Sequence, residues 1–262
     1  MNQPFSSVWT REPRPARSAT LSRTQIVRAA IELLDTEGLD ALSMRRLGAK
    51  LGSGATSIYW HVANKDDLLE LALDEVYGEL TLPDEDAAWR EAVSAFAHSV
   101  RAVLLNHPWA AVLLGSRPSL GPNAVALVAR LMKLFQRAGF QGMAVDYAWS
   151  TLLAFVLGAT TPEIAWRAAL GATRMSGPEL METTHSVAER AVRDHPDLAA
   201  HYARYRDTDI EASRALAFDF GLTCLLDGLH ARLDRGDAHP PGPDAAGRAG
   251  AASPCEHPGS PA

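Results

Sequence analysis

The chain has 262 residues, of which 47% are hydrophobic and 21% charged, and its net charge is −6 at neutral pH. These values are ordinary for a globular protein with one or two domains, and they exclude a protein that coats nucleic acid with a uniformly basic surface. Residues 1–65 nevertheless contain nine Lys or Arg and five Asp or Glu, a net charge of +4, which leaves −10 for the remainder. Contact with a nucleic acid is therefore expected at one end of the chain.

Cysteine content and hydropathy indicate the compartment. The two cysteines, Cys224 and Cys255, form no disulfide framework, and Cys224 lies in an apolar stretch where a small core residue is expected. The N-terminus is polar and lacks the apolar segment of a signal peptide, and the longest apolar run, 151–159, is too short to cross a bilayer. We therefore expect a cytoplasmic protein without membrane contact.

A first helix is predicted after an irregular N-terminal segment. Residues 1–20 are basic and contain prolines, so we expect a disordered arm, either solvated or following a DNA groove or phosphate strand. Ser22 and Gln25 then have the spacing of a capping box. Apolar residues follow at a 3.6-residue period, and Gly38 ends the helix.

The stretch 42–62 has the pattern of two short helices joined by a glycine turn. Leu47 and Leu51 share one face of the first helix, and a similar four-residue repeat recurs in the second. Gly52 can adopt the positive φ that ends a helix sharply. The second helix has a narrow apolar back and a polar front, which suits the DNA major groove, although the spacing alone also fits an αα-hairpin.

A further helix is predicted directly after this pair. Asn64 is a suitable N-cap, and Asp67 falls at the third helical position, where a carboxylate interacts favourably with the helix dipole. Apolar residues continue at helical spacing to about Leu80, and Pro83 follows.

The run Ile58-Tyr59-Trp60-His61-Val62-Ala63-Asn64-Lys65-Asp66-Asp67-Leu68-Leu69 resembles the DNA-binding head of the TetR family of bacterial repressors, in particular its tetracycline-repressor branch. The resemblance covers residues 21–80 and implies a DNA-binding domain there. The positions that it assigns to DNA contact are Ser43, Arg45, Ala55, Thr56, Ser57, Tyr59, Trp60, His61 and Lys65.

The chemistry of these side chains agrees with that assignment, because arginine suits guanine or phosphate and hydroxyl groups and lysine suit phosphate oxygens. Two positions depart from the tetracycline-repressor branch: Ala55 stands where that branch has a base-reading Gln, and Thr56 replaces its Pro. A different operator sequence is therefore expected. Trp60 could instead pack partly behind the reading helix.

Residues 85–235 are predicted to be all-helical apart from their connecting loops. The predicted fold is therefore all-α, with a three-helix helix-turn-helix head over 21–80 followed by a helical regulatory and dimerisation bundle over 81–235. The predicted helices of the bundle cover 89–106, 109–115, 122–138, 143–169, 179–193 and 210–233. A loop is expected at 171–178, and a Pro/Gly/Ala-rich disordered tail at 236–262.

Two of these helices, 143–169 and 210–233, are apolar nearly all round and must bury two faces. One face can pack on the core and the other on a second copy of the chain. The family resemblance implies that these helices form a four-helix dimer interface, and a dimer suits double-stranded operator DNA with a palindromic sequence.

Nothing in the sequence indicates catalysis, a cofactor or a metal site, because the histidines are scattered and no nucleophile or phosphate-loop motif occurs. The resemblance implies instead a small-molecule effector, of unknown identity, bound in the bundle. Candidate pocket residues, which could equally be plain core, are Phe96, Val100, Leu113, Arg117, Leu131, Phe135 and Trp149.

The segment Leu114-Gly115-Ser116-Arg117-Pro118 resembles the Leu-Gly-Thr-Arg-Pro segment of the tetracycline-repressor branch, in which a metal-binding His precedes the Leu. Here that residue is Leu113, and Thr81 stands near the position of a second pocket His. We therefore expect no response to Mg-tetracycline.

The predicted function is a DNA-binding regulator, in the first place a ligand-released repressor. An activator of the same fold, and a helical ligand-binding protein or enzyme with a vestigial head, are alternatives. A non-specific DNA-packaging protein is disfavoured by the acidic body.

Overall fold

The computed structural model describes residues 7–10, 21–83, 86–114, 119–204 and 209–235. Within these ranges the chain forms eleven α-helices and no strand, which confirms the all-α prediction. The helices are α1 (Arg23–Glu37), α2 (Met44–Lys50), α3 (Ala55–Tyr59), α4 (Lys65–Gly78), α5 (Trp89–Asn106), α6 (Pro108–Leu114), α7 (Pro122–Ala138), α8 (Met143–Ala172), α9 (Gly177–Ala191), α10 (Pro196–Arg204) and α11 (Ile210–Asp234).

The ends of α1 form as the sequence predicts. The Ser22 side chain accepts a hydrogen bond from the backbone N–H of Gln25 at 3.2 Å, and the Gln25 side chain accepts one from the backbone N–H of Ser22 at 2.8 Å. This is a complete capping box. At the other end Gly38 has a φ of 78°, a conformation that favours glycine.

Helix α4 connects the N-terminal helices to the rest of the chain. It packs against α1 on one side and against α6 and α7 on the other. Asp74 of α4 is buried, and its carboxylate accepts hydrogen bonds from the backbone N–H groups of Asn123 and Ala124 at 3.3 and 3.0 Å. A Cβ at Gly121 would lie 2.1 Å from the Asp74 carboxylate, so a glycine is required there. The first turn of α7 is thus held against α4 by hydrogen bonds.

Helices α5, α7, α8 and α11 form the bundle, with α8 in contact with each of the other three. Helix α8 extends to Ala172, three residues beyond the predicted end, and α9 begins at Gly177 within the predicted loop. Helix α10 is not predicted from the sequence, because its apolar pattern is short and proline opens it. Proline is nevertheless compatible with the first position of a helix.

Helix α8 has the length and mean hydropathy of a membrane-spanning helix. The sequence alone does not predict this, because its longest apolar run, 151–159, is short. Two observations place α8 in the bundle instead. It packs against α5, α7 and α11, and it contains a buried carboxylate, Glu163, that accepts a hydrogen bond from Arg101 of α5 at 2.6 Å.

Residues 7–10 differ from the disordered arm predicted for the N-terminus. They form a 3₁₀ turn on α4, in which the Ser7 hydroxyl and the Val8 backbone N–H donate to the Glu70 carboxylate at 2.5 and 3.1 Å. The arginines predicted for a DNA-binding arm, at positions 11, 14 and 17, and the predicted tail over 236–262 lie outside the described residues.

Candidate nucleic-acid interface

Helices α2 and α3 form a tight helix-turn-helix. The Ser43 hydroxyl caps α2 by accepting a hydrogen bond from the Arg46 backbone N–H at 3.2 Å, and Gly52 in the turn has a φ of 61°. The two helices approach so closely at Gly48 that a Cβ there would lie 2.8 Å from the Ser53 carbonyl oxygen and 3.1 Å from the Ala55 backbone nitrogen. The backbone contact at Gly48 therefore determines where α3 begins.

The back of α3 is held by burial of apolar side chains. Leu47 and Ile58 are completely buried, and Val62 is 1% exposed. Ile58 is the buried residue of α3, whereas Thr56 and Ser57 in the first turn of this helix are exposed to solvent. The arrangement presents two hydroxyl groups at the first turn of α3, as a reading helix requires.

The remaining predicted DNA contacts differ in their exposure to solvent. Arg45 is exposed on α2, whereas Ala55 and His61 are half-buried at the two ends of α3. Tyr59 is 46% exposed. Trp60 is 64% exposed, so the alternative that it packs behind the reading helix does not hold.

Several basic side chains of the helix-turn-helix head have polar partners within the protein. Arg46 pairs with Glu37, and Lys50 pairs with Glu32 at 3.0 Å. The Lys65 ammonium group donates to the Leu39 carbonyl oxygen at 2.9 Å. An ammonium group has three N–H donors, so Lys65 can hold this backbone contact and still donate to a phosphate.

A cluster of polar side chains joins the head to the bundle; we call it the His107 cluster. His107 lies between α5 and α6, with Nδ1 2.7 Å from a carboxylate oxygen of Asp35 on α1 and Nε2 3.0 Å from one of Glu79 at the end of α4. Trp109 Nε1 donates to the same Asp35 oxygen at 2.7 Å. Both imidazole nitrogens can donate only in the protonated ring, so this geometry favours imidazolium.

The His107 cluster also sets the charge state of the imidazole. Burial alone lowers the pKa of His107, but the hydrogen bonds to Asp35 and Glu79 and the charges of these carboxylates outweigh burial and raise the pKa above its ordinary value. The sequence gives no signal for the cluster, because its members come from three separate elements.

We expect His107→Gln to destabilise the protein by about 1–3 kcal/mol below about pH 6.5, where wild-type His107 is charged in both the folded and unfolded states. Because the folded-state pKa is raised, this stabilisation is lost as the pH increases through that pKa. The free energy of unfolding of both proteins, measured between about pH 5 and about pH 9, tests this. His185→Gln on α9 is the control, and a pH-independent difference for His107→Gln would contradict the assignment.

An apolar cleft lies between α4, α5 and α6. Its cavity volume is about 10 Å³, which is room for about one water molecule. The Tyr77 hydroxyl lies 2.6 Å from that of Ser119, and burial raises the pKa of Tyr77 above its ordinary value. The cleft is lined by Leu73, Val76, Tyr77, Leu80, Val100, Val103, Leu104 and Leu114.

Of the candidate pocket residues, Val100 alone among those described lines this cleft. Four others are buried in the core, and Phe96 packs against the half-buried Trp149 with ring centroids 6.0 Å apart. Arg117 lies outside the described residues. The core positions are Phe96, Leu113, Leu131 and Phe135.

Comparisons with known proteins agree with this architecture. A family model described as bacterial regulatory proteins, tetR family, matches residues 26–72, and one described as tetracyclin repressor-like, C-terminal domain, matches residues 82–233. An HTH-type transcriptional regulator of Saccharopolyspora erythraea is 44% identical over 62% of this chain and 69% of its own length. The HTH-type transcriptional repressor DrrR1 of Streptomyces coeruleorubidus is 31% identical over 89% of this chain and 87% of its own length.

Solved structures are similar over most of the chain. ActR of Streptomyces coelicolor in complex with actinorhodin has a TM-score of 0.68 and 30% identity, covering 81% of this chain and 97% of that chain. BioQ bound to its natural double-stranded DNA operator has a TM-score of 0.54 and 26% identity, covering 81% of this chain and 99% of that chain. The chain therefore belongs to the TetR family of bacterial transcriptional regulators, with α1–α4 as its helix-turn-helix head.

Proposed function

We propose that this protein is a cytoplasmic, ligand-released repressor, without enzymatic activity, that binds a palindromic operator as a homodimer. The observation that carries the proposal is the exposed polar side of α3, which is held on a buried apolar back by the close contact at Gly48. Such a helix can enter the major groove with its N-terminal residues directed at base edges.

Within this interface, the first turn of α3 reads bases and the residues at its end contact phosphates. Thr56 and Ser57 are the exposed hydroxyl residues of the first turn. Tyr59 and Lys65 lie at the end of α3 and the start of α4, where they can donate to the DNA backbone. We assign further DNA contacts to five residues of the head, Ser43, Arg45, Ala55, Trp60 and His61.

Replacement of Thr56 and of Lys65 by Ala is expected to have different effects. Lys65→Ala should weaken binding to all DNA sequences similarly and reduce the salt slope by about one charge. Thr56→Ala should change the preference at one base position by on the order of 1 kcal/mol. Affinity measurements on operator variants at several salt concentrations test this, with Lys133→Ala on α7 as the control for lost charge. Identical effects of both variants on every operator would contradict the assignment of base reading to Thr56 and phosphate contact to Lys65.

The faces of α8 and α11 that point away from the core support a homodimer. Met143 and Tyr147 of α8 are 48% and 49% exposed, and Leu216 and Phe220 of α11 are 69% and 74% exposed. Each pair is spaced four residues apart, so each helix presents an apolar stripe. Exposed apolar stripes of this kind are typical of subunit interfaces.

The cleft between α4, α5 and α6 is a suitable effector site because α4 belongs to both the head and the bundle. Its walls are apolar, and the Tyr77 hydroxyl is a polar group beside them. Its cavity volume of about 10 Å³ is far below the range of typical ligand sites, so an effector must widen it. Widening displaces α4, and a ligand that prefers the displaced state lowers operator affinity by its difference in affinity for the two states.

We expect the protein not to bind Mg-tetracycline. Leu113 is a buried aliphatic residue that offers no metal ligand, and Thr81 stands near the position of the second pocket His of the tetracycline-repressor branch. Calorimetric titration should give no Mg-dependent heat of tetracycline binding. Tight binding that disappears on chelation of Mg²⁺ would contradict this expectation.

A further inference from the structure

A second polar cluster lies where α5, α8 and α11 meet; we call it the Glu163 cluster, and it consists of Glu163, Arg101, Arg167 and Arg214. The Glu163 side chain is 3% exposed and accepts hydrogen bonds from Arg101 at 2.6 Å and from Arg167 at 2.9 Å. Arg214 comes from α11. Its guanidinium carbon lies 5.3 Å from the ring centre of Trp166 on α8.

The positive charges of this cluster outnumber the negative ones. Three arginines surround one buried carboxylate, and the only further acid among their described ion pairs is Glu211, which lies 4.0 Å from Arg167 and is 71% exposed. Arg101 and Arg167 each donate to a different oxygen of Glu163. Among the described residues no carboxylate oxygen forms an ion pair with Arg214, although the charge of Glu163 acts on it from further away.

Two polar atoms of this region are buried without any hydrogen-bond partner: Arg214 Nη1 and Thr160 Oγ1. Thr160 is completely buried and precedes Glu163 by three residues, so the two side chains lie on the same face of α8. Buried donors are satisfied in the great majority of cases, and an unsatisfied charged donor is especially costly. One nitrogen of the half-buried Arg214 guanidinium and the completely buried Thr160 hydroxyl therefore point to a missing acceptor.

The electrostatic environment supports the same conclusion. Burial lowers the pKa of the Arg214 guanidinium, the charge of Glu163 opposes this shift, and the nearby charge of Arg167 adds to it. Arginine nevertheless stays protonated under all ordinary conditions. An anion beside Arg214 would relieve both the desolvation and the repulsion from Arg167.

We propose that the Glu163 cluster is a binding site for an oxyanion, the carboxylate or phosphate group of a small molecule. Arg214 Nη1 and the Thr160 hydroxyl donate to the oxyanion, and Trp166 holds the guanidinium plane by stacking. The site is separate from the apolar cleft between α4, α5 and α6, because no residue of the cluster lines that cleft. Helix α5 contributes to both, with Arg101 in the cluster and Val100 in the cleft.

Calorimetric titration of the full-length protein with benzoate and with inorganic phosphate, at constant ionic strength, tests the proposal. Benzamide, which has the shape of benzoate without its charge, is the control ligand. We expect saturable binding of benzoate or phosphate and no binding of benzamide. In Arg214→Gln the affinity for the anion should fall by about tenfold or more. Arg232→Gln, which removes an exposed cation from the same helix, should bind like wild type.

Thr160→Val provides an independent test, since it removes the hydroxyl and keeps the shape. It should stabilise the ligand-free protein, because an unsatisfied polar group is lost, and weaken oxyanion binding several-fold. The proposal is overturned if wild type binds neither anion, if benzamide binds as tightly as benzoate, or if Arg214→Gln and Thr160→Val both retain wild-type affinity. These titrations contain no operator DNA. Failure of the oxyanion site can therefore be distinguished from failure of the proposed repressor function.

Discussion

Gly48→Ala is expected to abolish sequence-specific operator binding, with a loss of affinity of about 100-fold or more, while non-specific DNA binding persists. The added Cβ would lie 2.8 Å from the Ser53 carbonyl oxygen and 3.1 Å from the Ala55 backbone nitrogen. Both neighbours are backbone atoms at the start of α3, so they cannot move away as a flexible side chain can. Helix α3 must shift as a unit, and its hydroxyl residues then no longer meet the base edges.

Fluorescence anisotropy on operator and scrambled DNA measures this effect, and circular dichroism checks that the variant remains helical. Gly171→Ala in α8 is the matched control, because a Cβ there would have no atom within 4 Å. It should leave operator affinity unchanged. Wild-type affinity of Gly48→Ala for the operator would mean that this contact does not position the reading helix.

Glu163→Gln is expected to have the largest effect on stability, a decrease of about 3–5 kcal/mol in the free energy of unfolding. The substitution keeps the shape of a side chain that is 3% exposed but removes its charge. Arg101, with 18% of its side chain exposed, then loses its carboxylate partner, and its repulsion from the other arginines is no longer compensated. Breaking a buried ion pair from one side leaves an uncompensated charge.

Urea unfolding at a single protein concentration measures this change, since the stability of an oligomer depends on concentration. The control is Glu182→Gln on the exposed surface of α9, which should change the free energy by at most about 0.5 kcal/mol. A comparably small change for Glu163→Gln would show that the arginines are well hydrated and that the Glu163 cluster is not a buried charge network.

Local signals account for the parts of the structure that the sequence predicts correctly. The cap of α1 depends on Ser22 and Gln25, three residues apart, and that of α4 on Asn64 and Asp67, which are equally close. The helix-turn-helix depends on apolar spacing and on the positive φ of Gly52. Each feature is contained within a few consecutive residues and so is visible in the sequence.

The features that the sequence does not predict depend on which helix faces pack together. Arg101 and Glu163 are 62 residues apart, and His107 and Asp35 are 72 apart, so neither cluster has a sequence signature. Cys224, predicted to be a core residue, is exposed on α11. Because α11 is apolar nearly all round, its periodicity cannot distinguish the face on the core from the face directed outwards.

Helix packing also decides where the pocket lies. Phe96 and Phe135 are large apolar residues on bundle helices, and such residues can equally fill a core or line a cavity. The structure places them in the core, whereas the cleft lies where α4 and α6 meet α5. Which apolar side chains remain uncovered is decided by helix crossing, and composition does not encode it.

The exposed side of α3 should read a specific DNA sequence. A mobility-shift titration of the purified protein on the DNA upstream of its own coding sequence, against a scrambled control and at several salt concentrations, tests this expectation. We predict tight binding to the upstream DNA alone, with an affinity that falls steeply as salt increases. Equal and weak binding to both DNAs, at every salt concentration, would contradict it.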